Sequence, residues 1–102
     1  MAVATVDETN KACLDACAYT CCVNDGEMAQ CARLCLDCAV ICALCVTLLA
    51  RGSQWAAQVC RLCAEICEAC AAACERFDAE ACQVCAQACR RCAEQCRAMA
   101  TA

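Results

Sequence analysis

The sequence predicts an all-α protein, an antiparallel up-down-up-down four-helix bundle with a cysteine-lined core. Composition and residue spacing both support this prediction. The 102 residues include 25 alanines, two glycines and no proline, and alanine favours helices, which glycine and proline interrupt. Cysteine accounts for 19 residues, most of them at alternating steps of three and four. This is the spacing of side chains that face the core of a bundle, so we expect one domain over 1–102.

Three short breaks separate four segments of similar length. Asn24 or Asp25 can cap the second helix, because their side-chain oxygens accept hydrogen bonds from free backbone N–H groups. Ser53 and Asp78 are the corresponding candidates for the third and fourth helices. Gly52 suits the left-handed position that ends a helix. The predicted helices span 4–23, 27–51, 53–76 and 78–99. Connections this short make neighbouring helices antiparallel.

All but one of the cysteines fall on the predicted core-facing stripes, where an ordinary bundle carries leucine. The exception, Cys22, follows Cys21 directly and points to a different side of its helix. The other 18 are Cys13, Cys17, Cys21, Cys31, Cys35, Cys38, Cys42, Cys45, Cys60, Cys63, Cys67, Cys70, Cys74, Cys82, Cys85, Cys89, Cys92 and Cys96. Packing alone does not select cysteine over alanine, valine or leucine at so many positions, so we interpret all 19 as metal ligands.

The kind of metal follows from the number and arrangement of the thiols. Neighbours at steps of three and four have Cβ atoms about 5–6 Å apart, too far for unstrained disulfides. Zinc and iron–sulfur centres each need four ligands in a discrete site, whereas these stripes predict a continuous ladder. Copper(I) is a soft ion that thiolates select, and we expect a capacity on the order of 18 ions. A zinc or general soft-metal buffer and an iron–sulfur electron carrier remain the alternatives.

The two ends of the bundle are expected to differ. At the end with the 51–53 connection, the stripes run into an apolar plug without cysteine. The opposite end is the expected mouth, where the soft thioether of Met28 is a possible entry ligand for copper(I). Trp55 is expected to pack against the protein. The predicted plug residues are Val6, Leu49, Ala56 and Met99, and the mouth holds Met28, Phe77, Asp78 and Ala81 beside Cys21, Cys22, Cys31, Cys74 and Cys82.

The charges and the ends of the chain set the expected environment. The net charge is −4, which does not favour nucleic acid as a partner. No targeting segment is recognised at the N-terminus, and the apolar stretch over 38–50 is about a dozen residues, too short to span a bilayer. We therefore expect a cytoplasmic protein that does not bind membranes, and dense cysteine in that reducing compartment favours metal over disulfides. Without histidine, the usual nucleophile–base pairs are absent, and we expect no enzymatic activity.

The sequence resembles the bacterial cytosolic copper storage proteins. The resemblance is strongest over 31–99 and rests on the repeated cysteine motif of 60–70, C-R-L-C-A-E-I-C-E-A-C, and that of 82–99, C-Q-V-C-A-Q-A-C-R-R-C-A-E-Q-C-R-A-M. It implies a four-helix bundle that fills with copper(I) and assembles as a homotetramer. The chain differs from the family in one respect, because Ala79 and Ala81 stand around the positions where members usually carry histidines.

Overall fold

Four helices contain most of the residues that the structure, a computed structural model, describes, namely 3–17 and 29–101. The predicted class and number of helices are confirmed, with some shifted boundaries. The third helix begins three residues later than predicted and the fourth begins two residues later, while the chain over 18–28 lies outside the described residues. The helices are α1 (Val3–Asp15), which continues into a π-helical turn at 16–17, α2 (Ala29–Ala50), α3 (Ala56–Cys74) and α4 (Glu80–Thr101).

The helices form a square in which α1 and α3 each pack against both α2 and α4. The antiparallel register of α2 and α3 is visible in their sulfur contacts. Cys31 lies against Cys74 near one end, and Cys42 lies against Cys63 eleven residues further along each helix, in opposite chain directions. The bundle measures 39 × 18 × 17 Å. All four helices therefore present their cysteine stripes to one shared axis.

The ends of the helices explain the shifted boundaries. Gly52 has φ +63° and ends α2 as predicted, with Ser53 N donating to Leu48 O and Gly52 N donating to Leu49 O. Ser53 does not cap α3 directly, because its Oγ accepts from the Trp55 backbone N–H within the connection, so the expected cap is displaced. Trp55 is 56% exposed, and the expectation that it packs against the protein is wrong.

The fourth helix begins two residues after the predicted cap, Asp78. Ala79 O accepts the backbone hydrogen bond of Gln83 N, which makes Ala79 the residue that precedes the first turn. Gln83 Nε2 also donates to Phe77 O at 2.7 Å. The side chain of Gln83 thus donates to a carbonyl of the connection, whereas the expected Asp78 cap would accept from a free backbone N–H.

The predicted plug is apolar and buried. Val6 is fully buried, Leu49 and Ala56 are 8% exposed, and Met99 packs partly buried against the same core. Between the plug and the opposite end, small side chains fill the interior, because buried alanines such as Ala64 and Ala93 lie next to the cysteines. Small side chains bring the helices close enough for sulfurs from all four to meet.

Outside the core, α3 and α4 are joined by two exposed ion pairs. Arg90 holds both carboxylate oxygens of Glu75, at 3.2 and 2.8 Å, and Arg97 holds those of Glu68. All four side chains are exposed. Each pair bridges α3, or the residue that follows it, to α4.

The second helix is more apolar than the sequence argument allowed. The stretch Gln30–Ala50 has 21 residues and a mean hydropathy of 2.1, so by length and composition it is long enough to cross a membrane. The expectation of about a dozen residues was too short, because the cysteines of this helix add to its apolar length. Those cysteines lie inside the bundle, each at most 2% exposed. The core helix of a non-membrane protein can have the same length and mean hydropathy as a membrane-spanning helix.

Candidate metal centre

The candidate centre is an array of thiols along the axis of the bundle. Every one of the 17 cysteines in 3–17 and 29–101 is buried, and none exceeds 3% exposure. The stripe prediction is therefore confirmed in its placement of the side chains. Cys21, Cys22 and Met28, which the sequence argument placed at the mouth, lie outside the described residues.

One level of the array takes a sulfur from each helix, and we call it the Cys17 layer: Cys17, Cys35, Cys70 and Cys85. The Sγ atom of Cys17 lies 3.9 Å from that of Cys70 and 3.5 Å from that of Cys85. Cys35 Sγ completes the group at 3.5 Å from Cys70 and 3.8 Å from Cys85. The expectation of a ladder without discrete four-sulfur groups was too simple, because the ladder is built from such groups.

The next level along the axis repeats this arrangement, and we call it the Cys13 layer: Cys13, Cys38, Cys67 and Cys89. Cys13 Sγ lies 3.2 Å from Cys38 and 3.6 Å from Cys89, and Cys38 Sγ lies 3.4 Å from Cys67. The two layers are connected, since Cys17 and Cys89 have their sulfurs 3.7 Å apart. An ion in one layer would thus have sulfur ligands of the next within reach.

The third level contains an oxygen in place of the fourth sulfur, and we call it the Asn10 layer: Asn10, Cys42, Cys63 and Cys92. Asn10 is fully buried. Its Oδ1 accepts hydrogen bonds from the thiols of Cys63 at 3.4 Å and Cys92 at 3.3 Å, and its Nδ2 donates to Val6 O at 3.0 Å. Its Nδ2 also lies 3.7 Å from Cys96 Sγ, so both ends of the amide contact thiols and the oxygen faces Cys63 and Cys92.

Sequence reasoning missed Asn10, although a signal was present. Counting backward from Cys17 in steps of four, three and four gives Cys13, Asn10 and Val6, so the stripe of α1 continues through an asparagine. The sequence argument named Val6 as a plug residue without noting Asn10 between it and the cysteines. A polar side chain on a core-facing stripe needs a buried partner, and here the thiols supply that partner.

Thiols also occupy both ends of the array. Cys31 and Cys74 have their sulfurs 3.1 Å apart at one end. At the other end, hydrogen bonding to Cys60 raises the pKa of the Cys45 thiol, and the same contact lowers the pKa of Cys60 to about 4. The array therefore extends from Cys31 to Cys60, over most of the length of α2 and α3.

The hydrogen bonds between thiols lower the pKa of some of them and raise the pKa of others. Hydrogen bonding to Cys17 lowers the pKa of Cys13 to about 7, and hydrogen bonding to Cys35 lowers that of Cys74 to about 6. The pKa of Cys67 is raised, chiefly by its hydrogen bond with Cys13. A thiolate with thiol neighbours is stabilised as an acceptor, while its neighbours are held protonated as donors. Metal ligation needs the thiolate form, and the lowered pKa values of Cys13 and Cys74 favour that form.

Three solved structures are similar to this chain over nearly its whole length. The metal-free copper storage protein 3 from Bacillus subtilis is 38% identical, with a TM-score of 0.88, over 97% of this chain and 99% of that one. The copper(I)-bound copper storage protein BsCsp3 is 40% identical, with a TM-score of 0.86, over 93% and 94%. The Nmul_A1745 protein from Nitrosospira multiformis is 35% identical, with a TM-score of 0.87, over 97% and 94%.

A search among curated proteins finds no significant match. The family comparison gives a clear result, because the pattern of the Csp family, described as copper storage protein, matches residues 2–101. That match includes all four cysteine stripes and the apolar plug. Together with the identity and overall similarity to the solved copper storage proteins, it shows that the chain belongs to the Csp copper storage protein family.

Proposed function

We propose that this chain stores and buffers many copper(I) ions, as a single domain, on the thiolates of its core. The observation that carries the proposal is the continuity of the sulfur array. Sulfurs on different helices lie 3.1 Å apart at Cys31 and Cys74, and are still only 4.0 Å apart at Cys63 and Cys92. Soft thiolates select copper(I), and an ion bound to one sulfur has another within reach at each of these levels.

Charge neutralisation favours a monovalent ion in so dense an array. Buried thiolates without counter-ions would be very unfavourable. One copper(I) ion for each thiolate makes the core neutral, and bridging thiolates allow each ion two sulfur ligands. The loading is then close to one ion per core cysteine, on the order of 18 ions. The similar BsCsp3 has been solved in a copper(I)-bound form, in accord with this chemistry.

The proposed ligands are all 19 cysteines, 17 of which lie in the array. Cys21 and Cys22 are proposed ligands at the mouth, and Met28 is a proposed entry ligand. The role of Cys22 and Met28 is tested separately, by comparing loading rates of Cys22→Ser and Met28→Leu with the parent chain.

We also propose that the chain forms a homotetramer. An apolar stripe on the outer face of α2 supports this assembly: Leu36, Val40 and Leu44 follow one another at steps of four and are 62%, 71% and 42% exposed. Side chains at this spacing share one face of a helix, and water contact with such a face is unfavourable. Light scattering should give the mass of four chains, and Val40→Glu should shift it toward one chain with copper capacity unchanged.

The role is storage without catalysis, in the cytoplasm. Seventeen buried cysteines in the described part of the chain suit a reducing compartment, and α2 packs its cysteines into the bundle rather than against lipid. Cell fractionation with an antibody against the chain tests the location. Recovery in the membrane or periplasmic fraction would contradict it.

The proposal is tested by anaerobic titration with copper(I) in the presence of a copper(I) chelator of known affinity. Binding close to one ion per core cysteine, far tighter than for zinc, is the expected result. A stoichiometry of only a few copper ions, or tighter binding of zinc, would contradict it. Iron and sulfide in freshly isolated protein would favour the iron–sulfur alternative instead.

A further inference from the structure

We infer that the Cys13 layer is also a site for one trivalent arsenic atom, held by the sulfurs of Cys13, Cys38 and Cys67. The ligand enters as arsenous acid, the small neutral form that trivalent arsenic takes in water. This use goes beyond copper(I) storage, because it needs three thiols at one level of the core and not the continuity of the whole array. The bundle would thereby sequester a thiol-reactive metalloid in addition to storing copper(I).

The three sulfurs form a compact triangle. The Sγ atom of Cys13 lies 3.2 Å from that of Cys38 and 3.8 Å from that of Cys67, and the last two are 3.4 Å apart. Trivalent arsenic keeps a lone pair and binds three ligands as a pyramid with bond angles not far above a right angle. Three bonds of about 2.3 Å, the length of a zinc–thiolate bond, set at right angles would hold their sulfurs about 3.3 Å apart. Two edges of the triangle, at 3.2 and 3.4 Å, are close to that value.

The three sulfurs of the Asn10 layer form a wider triangle. The sulfur of Cys42 lies 3.8 Å from that of Cys63 and 3.9 Å from that of Cys92, and the last two are 4.0 Å apart. All three edges exceed the length that a pyramidal arsenic atom requires, so all three sulfurs would have to move inward to bind it. The tighter triangle of the Cys13 layer therefore needs less rearrangement and is the preferred level.

The fourth sulfur of the Cys13 layer stays unbound. Cys89 Sγ lies 3.6 Å from Cys13 Sγ and 3.9 Å from Cys38 Sγ, so its two edges are together longer than those of Cys67. A tetrahedral zinc ion would take all four thiolates of such a layer. Pyramidal arsenic does not, because its lone pair occupies the fourth direction. The site is therefore defined by the loss of three thiols for each arsenic atom bound.

Binding leaves the buried site without charge. Three S–H bonds and three As–O bonds break, three As–S bonds form, and the three protons leave with the hydroxyl groups as three water molecules. The oxidation states of arsenic and sulfur do not change. Trivalent arsenic and three thiolates are neutral together, whereas the same thiolates around a single copper(I) ion would carry a charge of −2. Because an uncompensated buried charge is costly, one isolated group of three thiols suits arsenic better than it suits a lone copper(I) ion.

The fold supplies the three ligands in advance. Cys13, Cys38 and Cys67 lie on α1, α2 and α3, and all three side chains are fully buried. Little conformational freedom is lost on binding, since the packed helices already hold the sulfurs together. Burial also keeps out the water that would reverse the reaction by hydrolysing the As–S bonds. Arsenous acid is neutral, so its passage into the core does not require a charge to be buried.

Anomalous diffraction at the arsenic absorption edge tests the inference. The reduced, metal-free chain is treated with one equivalent of sodium arsenite without oxygen and then crystallised. We expect one anomalous peak bonded to the sulfurs of Cys13, Cys38 and Cys67, and mass spectrometry should show one arsenic atom in place of three hydrogens. Arsenic at another level of the core, arsenic bound to two or four sulfurs, or no bound arsenic would overturn the inference.

Two serine variants of α2 separate ligation from general damage to the core. Cys38→Ser should raise the dissociation constant for arsenite at least about tenfold, since even the loss of an outer-shell partner has an effect of that size at a metal site. The matched control is Cys45→Ser, because Cys45 is on the same helix and equally buried but lies outside the triangle. Competition with a dithiol of known arsenite affinity measures both constants. Equal weakening in the two variants would overturn the inference, and if Cys38→Ser does not fold, the anomalous map of the parent chain decides alone.

The outcome is independent of copper storage. Copper(I) capacity is measured on the same preparation, so a full copper(I) load without an arsenic site would reject the arsenic site alone. One arsenic atom on the three named sulfurs, together with a low copper(I) capacity, would reject storage and support the arsenic site.

Discussion

The two halves of the core use the same stripe pattern on α2, α3 and α4 but differ in what α1 adds. In the half that contains the Cys17 and Cys13 layers, α1 supplies a cysteine at each level. In the other half, it supplies Asn10 and then Val6, and the thiols of Cys45, Cys60 and Cys96 approach an apolar plug. The difference indicates a division of labour. Both halves contain proposed copper ligands, but aliphatic packing and one amide stabilise the second half without metal.

If that division holds, truncation in the plug should have the largest effect on the metal-free protein. Leu49 is 8% exposed, and Leu49→Ala should lower the free energy of unfolding by about 2–4 kcal/mol, the range for a leucine removed from a core. Chemical denaturation of the metal-free chain under reducing conditions measures it. A loss below about 0.5 kcal/mol, the range of neutral surface substitutions, would show that the plug does not hold the bundle together.

Substitutions in the half that contains the Cys17 and Cys13 layers should lower the copper(I) capacity without unfolding the protein. Cys67 and Cys89 belong to the central Cys13 layer, and replacing both with serine should lower the copper(I) load by a few ions, since each bridging thiolate serves about two ions. Circular dichroism should remain helical, because serine has nearly the volume of cysteine. An unchanged copper load, measured by metal analysis after gel filtration, would show that these sulfurs are not ligands.

Replacing Asn10 with cysteine should make its half of the core resemble the half that contains the Cys17 and Cys13 layers. Asn10→Cys makes its layer all-sulfur, so the copper(I) load should rise by about one ion, in line with one ion per thiolate. Titration of the parent and variant side by side measures the change. A copper load equal to that of the parent would mean that capacity is not limited by sulfur at this level.

Much of this architecture could be predicted from spacing alone. Steps of three and four place a side chain on the core face wherever the helix continues, so the burial of Cys13, Cys45, Cys60 and Cys96 needed no tertiary information. The same rule could have identified Asn10. It could not predict that the amide meets Cys63 and Cys92, since that contact depends on the relative register of α1, α3 and α4.

The helix ends were less predictable for a related reason. Ser53 is a good cap by composition, but its Oγ bonds to Trp55 N inside the connection, and the helix begins at Ala56. Several conformations of a short connection satisfy the same local preferences. Which one forms depends on where the packed helices need the chain to turn, and sequence patterns carry little of that information.

The smallest effect is expected on the surface, where α3 and α4 are joined by exposed ion pairs. Glu75→Gln removes the carboxylate that Arg90 holds through two nitrogens. The pKa of Glu75 is lowered by its hydrogen bond with Arg90, so any stability from this pair is present above the ordinary glutamate pKa and is lost as pH falls through the lowered value. Because water screens both groups, the midpoint of thermal unfolding should barely change at neutral pH, and copper(I) capacity should not change. Calorimetry measures the unfolding midpoint, and metal titration measures the copper(I) capacity. A large drop in the midpoint or in the capacity would mean that the register of α3 and α4 depends on these surface charges. The sulfur layers would then depend on the same charges, because α3 and α4 contribute sulfurs to each of them.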